Sequence, residues 1–134
     1  MRWKDFLKLG LIILVLNLIW EFSQYRLYND LTQIPSTLHL ILASFADVFL
    51  ILVIFMFVCL TNKKICWFFS PKEKDYFFVI IFGLILAFIW ELINLRLGRW
   101  EYTYYMPLFF SVGLSPLLQL SITGSLGLLI KKFI

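Results

Sequence analysis

Leu108–Ile130 runs for 23 residues without a formal charge. Three further blocks resemble it. Leu40–Leu60 carries only Asp47, Tyr76–Leu95 only Glu91, and Leu9–Tyr25 only Glu21. A helix that crosses a bilayer needs about 20 mostly apolar residues. The chain therefore reads as an all-α polytopic membrane protein, a four-transmembrane-helix bundle with spans near 6–26, 38–60, 75–96 and 108–131. It forms a single domain over 1–134. The competing reading, buried helices of a soluble protein, requires a polar shell. With 62% hydrophobic and 15% charged residues, little sequence remains to build one.

The charges give an expected orientation. Arg2, Lys4, Lys8, Lys63, Lys64, Lys72, Lys74, Lys131 and Lys132 lie at the termini and between spans two and three, nine residues in all. Only Arg26, Arg96 and Arg99 occupy the other two loops. The positive-inside rule then puts both termini in the cytoplasm of a multi-pass cell-membrane protein. The net charge of +4 follows this topology and suits anionic lipid heads. No aromatic–basic pattern for nucleic acid occurs, so no nucleic-acid partner is expected. The first block has a basic start, but no small-residue cleavage site follows Trp20-Glu21-Phe22, so it reads as a retained helix. Cys59 and Cys66 lack metal or redox spacing and read as free thiols on the reducing side. Pro35 and Ser70-Pro71 mark helix starts, and Ser115-Pro116 is expected to kink the fourth helix. The aromatics of the loop Arg96–Pro107 read as an interfacial belt.

A repeat organises the sequence. LIWEFSQYRL (18–27) aligns with FIWELINLRL (88–97) at an offset of 70, matching Trp20/Trp90, Glu21/Glu91 and Arg26/Arg96, with Gln24/Asn94 similar. Helices one and three run the same way, so the expectation is a parallel duplication of helices 1–2 and 3–4.

Charged and polar groups at membrane depth are costly and face a bundle interior. On helix one, Asn17, Glu21 and Gln24 share a face. On helix three, Glu91 and Asn94 do the same. His39 and Asp47 fall on one stripe of helix two, and Ser111, Ser115 and Gln119 on one stripe of helix four. At about 1.5 Å per residue, these groups gather in the outer half of the bilayer. The candidate catalytic residues are Glu21, Asp47 and Glu91. The candidate substrate-binding residues are Asn17, Trp20, Gln24, His39, Trp90, Asn94, Ser115 and Gln119. A carboxyl in a dry pocket can serve as a neutral acid, and aromatic faces suit a cation. Each has a plainer reading. Glu21 and Glu91 can pair with Arg26 or Arg96, Asp47 can hydrogen-bond Gln119 or Ser115, and His39 can belong to the interfacial belt. The small residues Ser121, Thr123, Gly124 and Gly127 suit close helix packing. No Gly-rich phosphate loop, haem or zinc spacing is present, so neither a cofactor nor a metal is expected.

Asn17-Leu-Ile-Trp20-Glu21-Phe22 resembles the Trp-Glu helix of the integral-membrane terpene cyclases of fungal meroterpenoid pathways. That resemblance implies an acid at Glu21 and, through the repeat, at Glu91. Gly98-Arg-Trp100-Glu-Tyr102, followed by Pro116, is similar to the Trp-x-Tyr … Pro stretch of the small lycopene cyclase domains. There acidic residues closely follow the Pro, whereas here Leu117-Leu118-Gln119 does. Both resemblances imply a helical membrane fold and acid-initiated cyclisation of an isoprenoid, with a hydrophobic small molecule or lipid as ligand. In plan the chain is also similar to the small multidrug-resistance exporters, which carry a membrane Glu in helix one. Those have a single dominant Glu, while here it is duplicated. The alternatives to an enzyme are therefore a proton-coupled transporter of hydrophobic or cationic compounds and a structural subunit of a membrane complex. In each class so small a bundle leaves room for homo-oligomerisation.

Overall fold

The computed structural model describes residues 2–134. Its four long helices are α1 (Trp3–Gln24), α2 (Ser36–Asn62), α3 (Glu73–Arg96) and α4 (Leu114–Phe133). All four are long and apolar enough to cross a membrane. Their faces are inverted relative to those of a soluble bundle. On α1 the outward stripe is Leu7, Leu11, Val15 and Ile19, while the inward one is Leu9, Ile13, Asn17, Glu21 and Gln24. In lipid an apolar exterior costs nothing and the polar groups turn inward.

The α1 helix packs on α2 and α4, and α3 packs on α4 and α2. α1 and α3 thus stand on one diagonal. Close contacts come from small residues. A Cβ added at Gly83 of α3 would lie 3.0 Å from the Ser121 backbone of α4, and one at Gly127 of α4 would lie 2.6 Å from Ile13. Where lipid removes most of the hydrophobic drive between helices, such close packing holds them together.

The offset of 70 extends beyond the letters. The inward residues Leu9, Ile13, Glu21 and Gln24 of α1 correspond to Val79, Gly83, Glu91 and Asn94, all buried in α3. Asp47, Leu50, Ile54 and Val58 of α2 correspond to Leu117, Leu120, Gly124 and Leu128, all buried in α4.

The fourth helix begins at Leu114, not near 108. Residues 108–113 form a tight hairpin, β3 (Leu108–Phe109) against β4 (Val112–Gly113). Phe110 and Ser111 take φ of 47° and 67°, the left-handed pair that a two-residue hairpin turn requires. Ser111 is therefore not on the helical stripe with Ser115 and Gln119. Pro116 does not kink the helix either. It lies in the first turn, where its missing N–H costs no hydrogen bond.

A second short ladder joins the two connections at the same end. β1 (Tyr28–Asp30) pairs antiparallel with β2 (Trp100–Tyr102), with Asn29 opposite Glu101. The bundle is thus all-helical in body, with two small strand pairs at one end. At the opposite end, beside the termini, Trp67 is buried and donates its indole N–H to the Phe55 carbonyl at 3.2 Å. It belongs to the core.

Candidate functional site

A cavity of about 550 Å³ opens at the strand-bearing end, within the size range of small-molecule sites. Ala43, Ala46 and Ala87 leave room between α2 and α3, and Trp90 and Trp100 supply aromatic wall. All three candidate acids, Glu21, Asp47 and Glu91, line it, from three different helices.

Gln119 of α4 ties two of them together. Its Nε2 donates to Asp47 Oδ2 at 2.7 Å, to Glu21 Oε1 at 2.9 Å and to Asn17 Oδ1 at 3.0 Å. Its Oε1 accepts from Gln24 Nε2 at 3.1 Å, and Gln24 Nε2 also reaches Glu21 Oε1 at 3.2 Å. Ser115 Oγ and the Trp20 indole donate to Gln24 Oε1 at 2.6 and 3.1 Å. The network ends below at Asn17 and Thr123, both sealed inside. Beyond them the core is apolar: Leu9, Ile13, Ile51, Ile54, Phe55 and Leu128.

Glu91 occupies a different setting. Its Oε2 accepts from Tyr102 OH at 2.7 Å, the Trp100 indole at 3.3 Å and Tyr28 OH at 3.4 Å. Burial first, and then the neighbouring Glu91 carboxyl, push the Tyr28 and Tyr102 phenols above their ordinary pKa. Both therefore stay protonated and remain donors.

Neither Glu21 nor Glu91 pairs with an arginine among the described residues. Arg26 instead contacts the Tyr25 hydroxyl at 3.3 Å, and the ion pairs are Arg2–Asp5 and His39–Asp30. The Asp47–Gln119 hydrogen bond does form, as the plainer reading expected. One oxygen of each acid, Glu21 Oε2, Asp47 Oδ1 and Glu91 Oε1, takes no protein donor among the described residues, and none is sealed from the surroundings. All three residues line the cavity.

Of the candidate binding residues, Gln24, His39, Trp90, Asn94 and Gln119 line the cavity. Asn17, Trp20 and Ser115 do not; they support the hydrogen-bond network from behind. At the mouth Asp30 accepts from Thr32 N, Thr32 Oγ1 and His39 Nδ1. Burial raises the pKa of this carboxyl, but the Thr32 and His39 hydrogen bonds outweigh that and hold it below the ordinary value.

The sequence reading missed Tyr28, Arg99, Trp100 and Tyr102 as cavity or carboxyl partners. Trp100 and Tyr102 turn inward, whereas Tyr104 and Tyr105 of the same loop face out. The local signal was the alternation Trp100-Glu101-Tyr102 after Gly98, a short strand pattern that presents every second side chain to one face. Among the described residues no group of three His, Cys, Asp or Glu side chains gathers to hold a metal ion. No protein-family model, curated protein or solved structure matches the chain.

Proposed function

We propose that this is an integral membrane protein with both termini cytoplasmic, whose cavity in the outer half of the bilayer performs acid-type chemistry on an isoprenoid or lipid-like molecule. The observation that carries this reading is the Gln119 hub. One neutral amide with two N–H groups meets three acceptor oxygens, two of them carboxylic and from different helices. No cation of the described residues pairs with either carboxyl. The proposed chemistry needs one proton held between these two carboxyls. That proton faces a cavity walled in part by Trp90 and Trp100, where it is available to an alkene, epoxide or carbonyl. The balance is simple: the acid loses a proton as a C–H or O–H bond forms, and regains it when the product sheds one. Glu91, held by three neutral donors, supports positive charge that develops beside Trp90 and Trp100.

The apolar plug beneath Asn17 and Thr123 weighs against the transporter reading, since a proton-coupled carrier needs polar access to both faces. The shared burial pattern at offset 70 supports a parallel duplication. Infrared carboxyl-stretch spectra of the protein in nanodiscs at pH 7 test the function. A neutral carboxyl band is expected, removed by Glu21→Gln or Asp47→Asn and shifted by farnesol. Carboxylate bands alone, unmoved by farnesol, would overturn the acid reading.

A further inference from the structure

Arg99 stands apart from the other eleven Lys and Arg residues, because it lines the cavity and no other Lys or Arg does. Its position is fixed by local backbone chemistry. α3 ends at Arg96 with Leu97 as its cap, and Gly98 takes a φ of +69°, the left-handed turn that closes many helices. The turn brings the Arg99 N–H onto the Asn94 carbonyl at 3.2 Å, and the Arg99 carbonyl then accepts from Leu31 N at 3.0 Å. The side chain folds back as well, with Nη1 donating to Asn94 Oδ1 at 3.0 Å. Asn94 is itself buried and anchored to the Trp90 carbonyl. One guanidinium nitrogen is thus tethered, and the remaining N–H groups meet no protein acceptor among the described residues.

We propose that Arg99 is the head-group site of this cavity, and that the ligand is an amphiphile with a phosphate or carboxylate head and an apolar chain. This rests on reading the cavity as the substrate site. A guanidinium suits such a head because its planar donors match two oxygens at once. Asp30, a carboxylate of the cavity lining, is already held by Thr32 and His39 and forms no ion pair with Arg99 among the described residues. The arrangement also orients the ligand. Asn94, the tether, is three residues beyond Glu91, about 4.5 Å of helix rise. A head on Arg99 therefore sits above the acids, and only the uncharged chain reaches Glu21, Asp47 and Glu91. The floor presents carboxyl oxygens and no cation pairs with them among the described residues, which makes the reversed pose unfavourable for an anionic head.

The test is a fluorescence titration of the full-length protein in maltoside micelles, reading Trp90 and Trp100 at the cavity wall. The probes are dodecyl phosphate, dodecanoate, dodecanol and inorganic phosphate. Dodecyl phosphate and dodecanoate are expected to bind about tenfold or more tighter than dodecanol, the usual gain from hydrogen bonds to a charged group. Arg99→Gln should bring them to within about twofold of dodecanol while leaving dodecanol unchanged. Arg99→Met, which keeps much of the stem's packing, is the second variant, and thermal unfolding checks that each is folded. Arg96→Gln, away from the cavity, should change nothing. Equal binding of dodecyl phosphate and dodecanol, or a preference that survives in both Arg99 variants, overturns the proposal. So does inorganic phosphate binding as well as dodecyl phosphate, since the chain would then contribute nothing. No head-group preference in the parent, with an intact neutral-carboxyl band, refutes this site alone. A retained preference with no such band refutes the acid chemistry alone.

Discussion

Replacing Gln119 by Leu tests the central network most directly. The side chain has four polar contacts, to Asn17, Gln24, Glu21 and Asp47. Its two N–H groups serve three acceptors, so at most three full hydrogen bonds are lost. Between membrane helices a hydrogen bond averages about 0.6 kcal/mol in double-mutant cycles. Three therefore come to about 2 kcal/mol. Leaving sealed groups unpaired adds to this, at about 1–3 kcal/mol per group. Here that addition is small, because Asn17 keeps Thr123 Oγ1 at 3.3 Å and Gln24 keeps Glu21, while Glu21 and Asp47 open onto the cavity. The expected loss is about 2–3 kcal/mol, a large share of an ordinary protein's stability. Equilibrium unfolding in mixed micelles measures it, with Ile122→Leu on the same helix as the control. A Gln119→Leu protein within about 0.5 kcal/mol of the parent would refute the argument, since four contacts that can be deleted at no cost do not organise a site.

Two glycines should respond oppositely to Ala. At Gly83 the new methyl meets the Ser121 backbone, and overpacking of about 1–3 kcal/mol outweighs a helix-propensity gain of about 1 kcal/mol. At Gly10 nothing lies within 4 Å, so the same change should be neutral or stabilising; thermal unfolding of the pair decides. Tyr28 and Tyr102 should remain un-ionised in the folded protein at pH 11, so absorbance at 295 nm should show the same phenolate yield in a Tyr28→Phe/Tyr102→Phe variant as in the parent. Their raised folded-state pKa means that their stabilisation is present below about pH 10 and is lost as the pH climbs. Asp30 works the other way. Its folded pKa is depressed below about 3.8, so its contribution is present above that pH and disappears as the pH falls through the folded value. The difference in melting temperature between parent and Asp30→Asn should therefore shrink below about pH 4.

The body of the bundle was legible because four blocks of the sequence are long and apolar enough to form membrane-crossing helices. In lipid only helices and closed barrels satisfy their backbone, blocks of this length and pattern suit helices, and Asn17, Glu21 and Gln24 at helical spacing fall on one inward face. The start of α4 was misread because LFFSVGL is as apolar as the helix that follows. Its hairpin depends on left-handed residues at Phe110 and Ser111, neither of them a usual turn former. The roles of Tyr28, Trp100 and Tyr102 were hidden because three-residue strands pair across 72 positions of sequence, and no local pattern announces such a partner. Arg99 was counted as a topology signal, since its charge was visible while the tether to Asn94 was not.

The β1–β2 ladder has a mechanical consequence. It ties the ends of α1 and α3, the two helices on the bundle's diagonal, and so works as a strap across the top of the cavity. Pulling those helices apart stretches the ladder, so the opening has little freedom to widen from above. The compliant wall is instead the seam between α2 and α3, where Ala43, Ala46 and Ala87 present little bulk and the half-exposed Leu42 lines the cavity from the flank. On the proposed reading, a ligand in the lipid would reach the acids sideways, through this seam, with the strap above acting as a fixed roof.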